Sequence, residues 1–198
     1  MGKLPGTQTS ENLARAFAGE SQARNRYTFY AGYAKKEGHA VIEQIFKLTA
    51  ENERAHAKVF YDLLVEGMGG PSNVNVNAGY PFESGDTVAN LYSAAHGEHD
   101  ENTQIYPAFA DIAKQEGFPQ IEAAFRMIAK IEGDHERRFK KFGDELKNKT
   151  LYQKKEPKQW LCTNCGHIHV GTDAPGICPV CKHSQGWFEV ITKLPEEA

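Results

Sequence analysis

The spacing Glu-x-x-His occurs twice in the chain, once as Glu53 with His56 and once as Glu132 with His135. In a helix, a spacing of three residues places both side chains on one face, about 4.5 Å apart along the axis, so that they can converge on one metal ion. A single pair of this kind is more often a surface salt bridge. Two pairs, each accompanied by a glutamate on a neighbouring segment, indicate a metal centre.

The two pairs belong to an internal repeat in which residues 27–60 align with residues 106–139. Equivalent residues in these ranges are 79 positions apart, whereas Glu20 and Glu98, just upstream, are 78 positions apart. One residue is therefore inserted between Glu98 and Tyr106. A single insertion within a helix predicts a π-type bulge, a feature that often marks functional sites.

Glu20 and Glu98 complete the predicted set of metal ligands. Two such glutamates and two Glu-x-x-His pairs, all facing inward, are the ligands of ferritin-like di-iron or di-manganese bundles. Carboxylate and imidazole suit iron or manganese better than copper or zinc, and leave the choice between iron and manganese open. Buried carboxylates without a cation would be costly beside apolar residues. The predicted apolar lining comprises Ala16, Phe17, Ala23, Phe46, Ala50, Phe60, Phe125, Met127, Ala129 and Phe139.

Tyr27 and Tyr106 occupy equivalent positions in the repeat, about two helical turns after Glu20 and Glu98. One interpretation is that both are plain core residues. The other is that each hydroxyl donates a hydrogen bond to a ligand carboxylate or to a bound peroxide. Both interpretations stay open at the level of sequence.

Four long segments of helical composition must position these ligands: residues 10–37, 40–66, 86–116 and 119–147. The predicted N-caps are Ser10 and Asp86, the predicted C-terminal caps are Gly38, Gly67 and Gly117, and Pro119 begins the last helix. The short links make each half an antiparallel hairpin. Residues 67–85, rich in Gly and Asn, predict one long crossover that lets the second and third helices run parallel.

All four cysteines lie near the C-terminus, in two C-x2-C knuckles with twelve residues between them. This pattern predicts a tetrahedral metal site, and by itself it fits a zinc ribbon as well as an iron tetrathiolate. Gly166 and the nearby aromatic residues Trp160, Trp187 and Phe188 favour iron. The predicted ligands are Cys162, Cys165, Cys178 and Cys181, whereas His167 and His169 are expected at the surface. Residues 151–159 are charged and contain a proline, which predicts a tether.

The chain carries 23 basic and 26 acidic residues for a net charge of −3, mixed along its length. Without a basic stripe, nucleic acid is not an expected partner. The N-terminus has no apolar run of signal-peptide length, and no stretch approaches the roughly 20 apolar residues that cross a bilayer. We expect a cytoplasmic protein with no membrane partner. The expected domains are a bundle over residues 1–150 and a four-cysteine domain over residues 151–198.

Together these motifs resemble the rubrerythrin family over essentially the whole chain, and the specific mark is the E-x-x-E of Glu98 and Glu101 within GEHDE. The resemblance implies a mainly α fold, with a ferritin-like four-helix bundle, one long crossover and a small rubredoxin-like four-cysteine β-knuckle domain. It also implies two iron ions in the bundle and one in the four-cysteine site. The implied bundle ligands are Glu20, Glu53, His56, Glu98, Glu101, Glu132 and His135. In that family one iron moves between a histidine and the extra glutamate, here His56 and Glu101, as the redox state changes.

The activity that the resemblance implies is reduction of hydrogen peroxide to water in oxidative-stress defence. The seven ligands would be catalytic together with Tyr27 and Tyr106. Electrons would come from NADH through a reductase or a small electron carrier, and then through the four-cysteine iron. A homodimer or a higher homo-oligomer is expected, with one subunit's C-terminal domain serving the other's bundle. The alternatives are a ferroxidase, an electron carrier with a structural bundle, and zinc in the four-cysteine site.

Overall fold

The computed structural model of the protein describes residues 3–191 and contains four long helical segments followed by a small sheet. The helices are α1 (Gln8–Lys36), α2 (Ala40–Met68), α3 (Thr87–Asp100), α4 (Tyr106–Gln115) and α5 (Pro119–Lys147), and a π-helix (Glu101–Ile105) joins α3 to α4. The strands are β1 (Gln153–Cys162), β2 (Ile168–Asp173) and β3 (Phe188–Val190), with a short 3-10 helix at Gln185–Trp187. The predicted fold class is confirmed.

The helices form two hairpins joined by a crossover. Helix α1 packs along α2, and α3 and α4 pack along α5. The crossover, residues 69–86, follows α1: the Tyr80 hydroxyl donates to the Arg15 carbonyl at 2.9 Å, and the Tyr30 hydroxyl donates to the Glu83 carbonyl at 2.7 Å. Because Arg15 lies near the start of α1 and Tyr30 near its end, the crossover spans the bundle, as predicted.

The helix starts follow capping chemistry. Asp86 caps α3 as predicted, since its side chain accepts from the Ala89 N–H, and Pro119 is the first residue of α5. The prediction of Ser10 as the cap of α1 is wrong. Thr7 is the N-cap, and its side chain accepts from the Ser10 N–H, so that α1 begins earlier than expected.

The predicted C-terminal glycines are correct at two helices and wrong at one. Gly38 and Gly117 both have a φ of +83°, the left-handed conformation that ends a helix. Helix α2 instead continues past Gly67, and Gly69 adopts the left-handed conformation at φ +70°. Gly67 packs closely on Leu4, because a Cβ there would overlap the end of the Leu4 side chain, which would have to move.

Two aromatic clusters fill the bundle at either end of the layer that holds the Glu-x-x-His pairs. One cluster contains Tyr27, Tyr30, Phe46 and Phe139, and the other contains Phe60, Tyr106, Phe109 and Phe125. Burying each large side chain contributes about 1.5–3 kcal/mol of hydrophobic stabilisation. The clusters therefore make the ligand layer a polar band within a hydrophobic core.

The predicted lining is wrong at two positions. Phe17 is 37% exposed and packs against Tyr61 at the surface, with the ring centroids 5.8 Å apart. Met127 is 60% exposed. Both residues lie on outward faces of their helices, whereas the other eight predicted lining residues are buried.

The predicted tether is also wrong. Residues 153–159 form the first part of β1, and Leu151 is 7% exposed within the core of the bundle. The sheet has the order β2-β1-β3, and both pairings are antiparallel, with Trp160 opposite His169 and opposite Val190. The chain thus passes from the end of α5 into β1 without an intervening tether. None of the helices within residues 3–191 has the length and apolar character needed to span a membrane.

Candidate metal centres

The α-helices of the bundle carry six of the seven predicted ligands on their inward faces. Glu20 is on α1, Glu98 is on α3, and the two Glu-x-x-His pairs are on α2 and α5. Spacings of three residues within a helix put each glutamate and its histidine on the same face. All six residues are buried, and the four glutamates are each at most 1% exposed. The prediction that they converge is confirmed.

The ligand atoms fall into two groups, in each of which the atoms lie within 4.8 Å of one another. The first group is Glu20, Glu53, His56 and Glu132, and the second is Glu53, Glu98, Glu132 and His135. Glu53 and Glu132 belong to both groups. Two ions placed in these groups would share the two carboxylates, with one imidazole and one further glutamate for each ion.

The residues fit iron, because the buried polar atoms converge on common points. His56 Nδ1 lies 2.9 Å from Glu132 Oε1 and 3.0 Å from Glu53 Oε2, and His135 Nδ1 lies 2.9 Å from Glu132 Oε2. Both Glu132 oxygens, Glu53 Oε1 and His135 Nδ1 nevertheless lack a hydrogen bond to any residue in 3–191. Such orphaned buried atoms need a partner, and carboxylate with imidazole is a donor set that suits iron.

Electrostatics in the metal-free site show the same need for cations. Burial, and then the charges of neighbouring carboxylates, raise the pKa values of Glu20 and Glu98 well above the ordinary range. Burial lowers the pKa of each histidine, but the adjacent Glu132 and Glu53 outweigh it and raise the pKa of His56 to about 10 and that of His135 to about 9. In the metal-free site, protons therefore neutralise the carboxylate charges that metal ions would otherwise neutralise.

Tyr27 and Tyr106 each bond to a glutamate of the opposite half of the repeat. The Tyr27 hydroxyl donates to Glu98 Oε1 at 2.6 Å, and the Tyr106 hydroxyl donates to Glu20 Oε1 at 2.5 Å. Both tyrosines are 1% exposed. Of the two interpretations from sequence, the structure supports hydrogen bonding to the predicted ligand carboxylates, which fixes which oxygen of each glutamate is free.

Glu101 lies beside the two ligand groups and belongs to neither. It opens the π-helix that the slip in the repeat predicted, and its carboxyl points past Gly19, where a Cβ would meet Glu101 Oε1 and the Tyr80 ring at 3.7 Å. Burial, then the charges of Glu132 and Glu53, raise the pKa of Glu101 to about 8. The resemblance implies that one iron moves between Glu101 and His56. Of these two residues, only His56 belongs to the first group.

The four cysteines form one group whose sulfur atoms lie within 4.8 Å of one another. Cys162 Sγ is 3.7 Å from Cys181 Sγ, and Cys165 Sγ is 3.7 Å from Cys178 Sγ. Trp160 and Phe188 are buried against Cys162 and Cys178, and Trp187 packs on the same cluster. Four converging thiols fit a tetrahedral ion, and the two predicted surface histidines are outside the group.

The two cysteine knuckles have matching backbones. The N–H of Cys162 donates to the carbonyl of His167 at 2.8 Å, and that of Cys178 donates to the carbonyl of His183 at 2.8 Å. The residues after the second cysteines, Gly166 and Lys182, have φ values of +78° and +64°. Lys182 therefore adopts the left-handed conformation that favours glycine, at the position where the first knuckle has Gly166.

Two residues near Glu101, Arg26 and Tyr80, were not predicted from the sequence. Arg26 bonds to Gln22 at 2.6 Å and its guanidinium lies over the Tyr27 ring, 5.5 Å from the centroid. Tyr80 comes from the crossover. Neither residue belongs to a motif. Their approach to Glu101 depends on how α1, the crossover and the π-helix pack together, which no local sequence pattern shows.

A four-helix bundle with two carboxylate–histidine groups that share ligands, followed by a four-cysteine knuckle domain, defines a ferritin-like di-iron protein with a rubredoxin-like domain. Comparison with known proteins agrees with this class. Residues 11–143 match the family model described as Rubrerythrin, and residues 160–189 match the model described as Rubrerythrin, rubredoxin-like domain. The chain belongs to the rubrerythrin family.

Individual relatives support the assignment over the full length. The chain is 50% identical to Rubrerythrin-1 of Clostridium acetobutylicum over 194 residues, which cover 98% of this chain and 99% of that one. A structure of nigerythrin in its fully reduced, all-ferrous state superposes with a TM-score of 0.62 at 28% identity, covering 96% of this chain and 94% of that one. The family assignment and the two ligand clusters identify an iron-binding oxidoreductase with a di-iron site and a rubredoxin-like iron site.

Proposed function

We propose that the protein reduces hydrogen peroxide to water at the carboxylate–histidine site, as part of oxidative-stress defence. The observation that carries the proposal is the pair of buried ligand groups that share Glu53 and Glu132, in a chain that also holds a four-cysteine centre. When bound, two ferrous ions supply the two electrons that cleavage of the O–O bond requires. The proposed ligands are Glu20, Glu53, His56, Glu98, Glu101, Glu132 and His135.

The protein's own side chains orient the ligands and exclude water. Glu53 and Glu132 belong to both ligand groups and would hold both ions, and Tyr27 and Tyr106 hold Glu98 and Glu20 by hydrogen bonds. The aromatic clusters at both ends of the ligand layer keep bulk water out, which strengthens every electrostatic interaction within it. Glu101, with a pKa of about 8, holds a proton at neutral pH in the metal-free site.

The proposal includes the electron supply. Electrons pass from NADH through a reductase or a small electron carrier to the four-cysteine iron, and from there to the bundle. Thr163, next to Cys162, contacts Gln44 of α2 at 3.5 Å. Glu53 is nine residues further along α2, or about 13 Å along the axis, so the two sites of one chain are well separated.

We also propose a head-to-tail homodimer in which one subunit's C-terminal domain serves the other's bundle. The expected result is that internal electron transfer slows when the protein is diluted until it is monomeric. The check is the reoxidation rate of the four-cysteine iron at serial dilutions, with the oligomeric state measured at each concentration. An unchanged rate in the monomer would rule out transfer between subunits.

Anaerobic stopped-flow mixing tests the peroxidase activity itself. The reduced protein is mixed with hydrogen peroxide or with oxygen while the visible thiolate-to-iron absorption is followed. We expect fast reoxidation by peroxide, slow reoxidation by oxygen, and loss of the peroxide reaction in Glu53→Ala. The matched control is Glu43→Ala on the same helix, since Glu43 is 8% exposed and pairs with Lys47 away from the site. Faster reaction with oxygen would favour ferroxidase activity instead.

A further inference from the structure

A cavity of about 510 Å³ lies between α1, the crossover and the π-helix. Its outer rim includes Asn77 and Ala78 of the crossover, which are exposed. Its inner end reaches Ala16 and Tyr106, which are 3% and 1% exposed. The cavity thus leads from solvent into the layer beside the carboxylate–histidine site.

The inner wall of the cavity is bonded directly to the site. Tyr106 lines the cavity, and its hydroxyl donates to Glu20, a member of the first ligand group. Glu101 also lines the cavity, and Tyr80 packs next to it. A molecule at the inner end would therefore contact Glu101 directly and would be one side chain, that of Tyr106, away from Glu20.

The cavity is larger than hydrogen peroxide requires. Its 510 Å³ falls within the range of about 300–1,000 Å³ that small-molecule sites occupy. A water molecule takes up about 30 Å³ of the liquid, and a peroxide of two oxygen atoms is not much larger. Room remains for an organic group of several carbon atoms.

The lining favours a neutral molecule with an apolar part. Its apolar side chains are Ala16, Ala78, Pro81, Ile105 and Phe109. Its ionisable side chains are mixed in sign: Arg15, Arg26, His96, Glu83, Asp100 and Glu101. A multiply charged anion such as phosphate would meet the carboxylates of Glu83 and Asp100 there, whereas a neutral molecule can accept hydrogen bonds from the arginines and bury its apolar part.

We infer that this cavity binds organic hydroperoxides with a compact apolar substituent, and that the protein reduces them as well as hydrogen peroxide. The inference rests on the proposed peroxidase function. The O–O bond of the hydroperoxide breaks as it takes up two electrons and two protons, and the products are the alcohol and water. The electrons come from the same donors as for hydrogen peroxide. The hydroperoxide group lies at the inner end, and the substituent lies toward Ala78 and Ile105.

Filling the cavity from its exposed rim tests the inference. Ala78→Trp adds a large side chain at the mouth without touching a predicted ligand, and Asn75→Trp adds the same side chain to an exposed crossover position outside the lining. With cumene hydroperoxide, Ala78→Trp should lower kcat/KM by about tenfold or more, an effect of steric exclusion. With hydrogen peroxide the change should stay within about twofold, and Asn75→Trp should match wild type with both substrates.

A binding measurement separates the cavity from the chemistry. Cumyl alcohol, the reduced product, should bind wild type and Asn75→Trp in calorimetric titrations and should bind Ala78→Trp at least about tenfold more weakly. Equal losses with both peroxides, no loss with either, or equal alcohol binding by all three proteins would overturn the inference. Reduction of hydrogen peroxide without reduction of cumene hydroperoxide would overturn it and leave the proposed function intact. Failure with both peroxides would remove the proposed function as well.

Discussion

At the scale of single residues, the site depends on hydrogen bonds that cross between the two halves of the chain. Tyr27 of the first hairpin holds Glu98 of the second, and Tyr106 of the second holds Glu20 of the first. A hydrogen bond to a charged group contributes about 1.5–3 kcal/mol, so each contact is strong enough to fix a carboxylate. The equivalence of the two tyrosines was visible in the sequence, but the exchange of partners was not.

Tyr27→Phe and Tyr106→Phe should each slow reoxidation by hydrogen peroxide by about tenfold, because the freed carboxylate no longer holds one orientation and about 1.4 kcal/mol of positioning is lost. Stopped-flow mixing of the reduced variants measures the rate. The control is Tyr30→Phe, which removes an equally buried hydroxyl whose partner is the Glu83 carbonyl. If Tyr30→Phe is equally slow, the hydroxyls have no specific role.

The titration of the histidines predicts how the metal-free protein responds to pH. The pKa of His56 is raised from 6.5 to about 10, and that of His135 from 6.5 to about 9. A raised pKa in the folded state contributes stability that is complete below the unfolded value and lost as pH rises to the folded value. Glu20 and Glu98 act in the same direction, beginning at lower pH, because their pKa values are also raised.

The melting temperature of the helices in the metal-free protein should therefore fall as pH rises from about 6.5 toward about 10, since all four of these groups lie in the bundle. Thermal unfolding followed by circular dichroism at several pH values measures it. In the iron-loaded protein the fall should be smaller, since the ions replace the protons. A melting temperature of the metal-free protein that holds or rises over this interval would contradict the assignment of charge in the site.

At the scale of elements, the π-helix is the feature that distinguishes the two hairpins. It spans Glu101–Ile105, within the window where the repeat shifts by one residue, so its location was predictable from sequence. The first hairpin has an unbroken helix at the corresponding place. The extra residue lets Glu98 and Tyr106 both face inward while Glu101 is turned toward the cavity.

Deleting Thr103, an exposed residue of the π-helix, should restore a regular α-helix and redirect Glu101. We expect the bundle to fold and to bind iron through the other six predicted ligands, while peroxide reoxidation falls by about tenfold or more, the loss of one carboxylate's contribution. Circular dichroism, iron analysis and stopped-flow mixing check the three parts. Glu101→Ala is the matched control and should lose rate to the same extent. A deletion variant with full activity would show that the π-helix is dispensable.

Other elements show where sequence patterns stop being informative. The four helices and their capping residues follow from local chemistry, and most of them were predicted. Residues 153–159 were not, because a charged segment with a proline resembles a linker until its partner strand is known. The strand β1 forms through backbone pairing with β2 and β3. Such pairing is non-local and leaves few marks in an exposed, charged sequence.

At the scale of the whole molecule, the C-terminal domain is docked on the bundle. His39 Nδ1 lies 3.0 Å from the Tyr152 hydroxyl, and the two rings stack. Gly186 packs so closely on the Gly38 carbonyl that a Cβ would overlap it. Tyr152 contacts both the bundle core and the core around the cysteines, so that the two domains share a hydrophobic boundary.

Gly186→Ala should therefore undock the C-terminal domain, because the added methyl group cannot fit against the Gly38 carbonyl. Small-angle scattering should show a larger radius of gyration, and proteolysis between the domains should become faster, while both iron sites stay loaded. Gly176→Ala is the control, since a Cβ there meets no atom within 4 Å in the described structure. A Gly186→Ala variant as compact as wild type would show that the contact is easily relieved.

The reciprocal tyrosine bonds bear on the origin of the bundle. An ancestor that consisted of one hairpin would have carried a glutamate whose supporting tyrosine lay in a second, identical chain, as in the isologous interface of a two-fold symmetric dimer. Neither copy would have bound two metal ions alone. The present chain holds the same arrangement within one polypeptide, so the crossover makes assembly of the two hairpins independent of concentration.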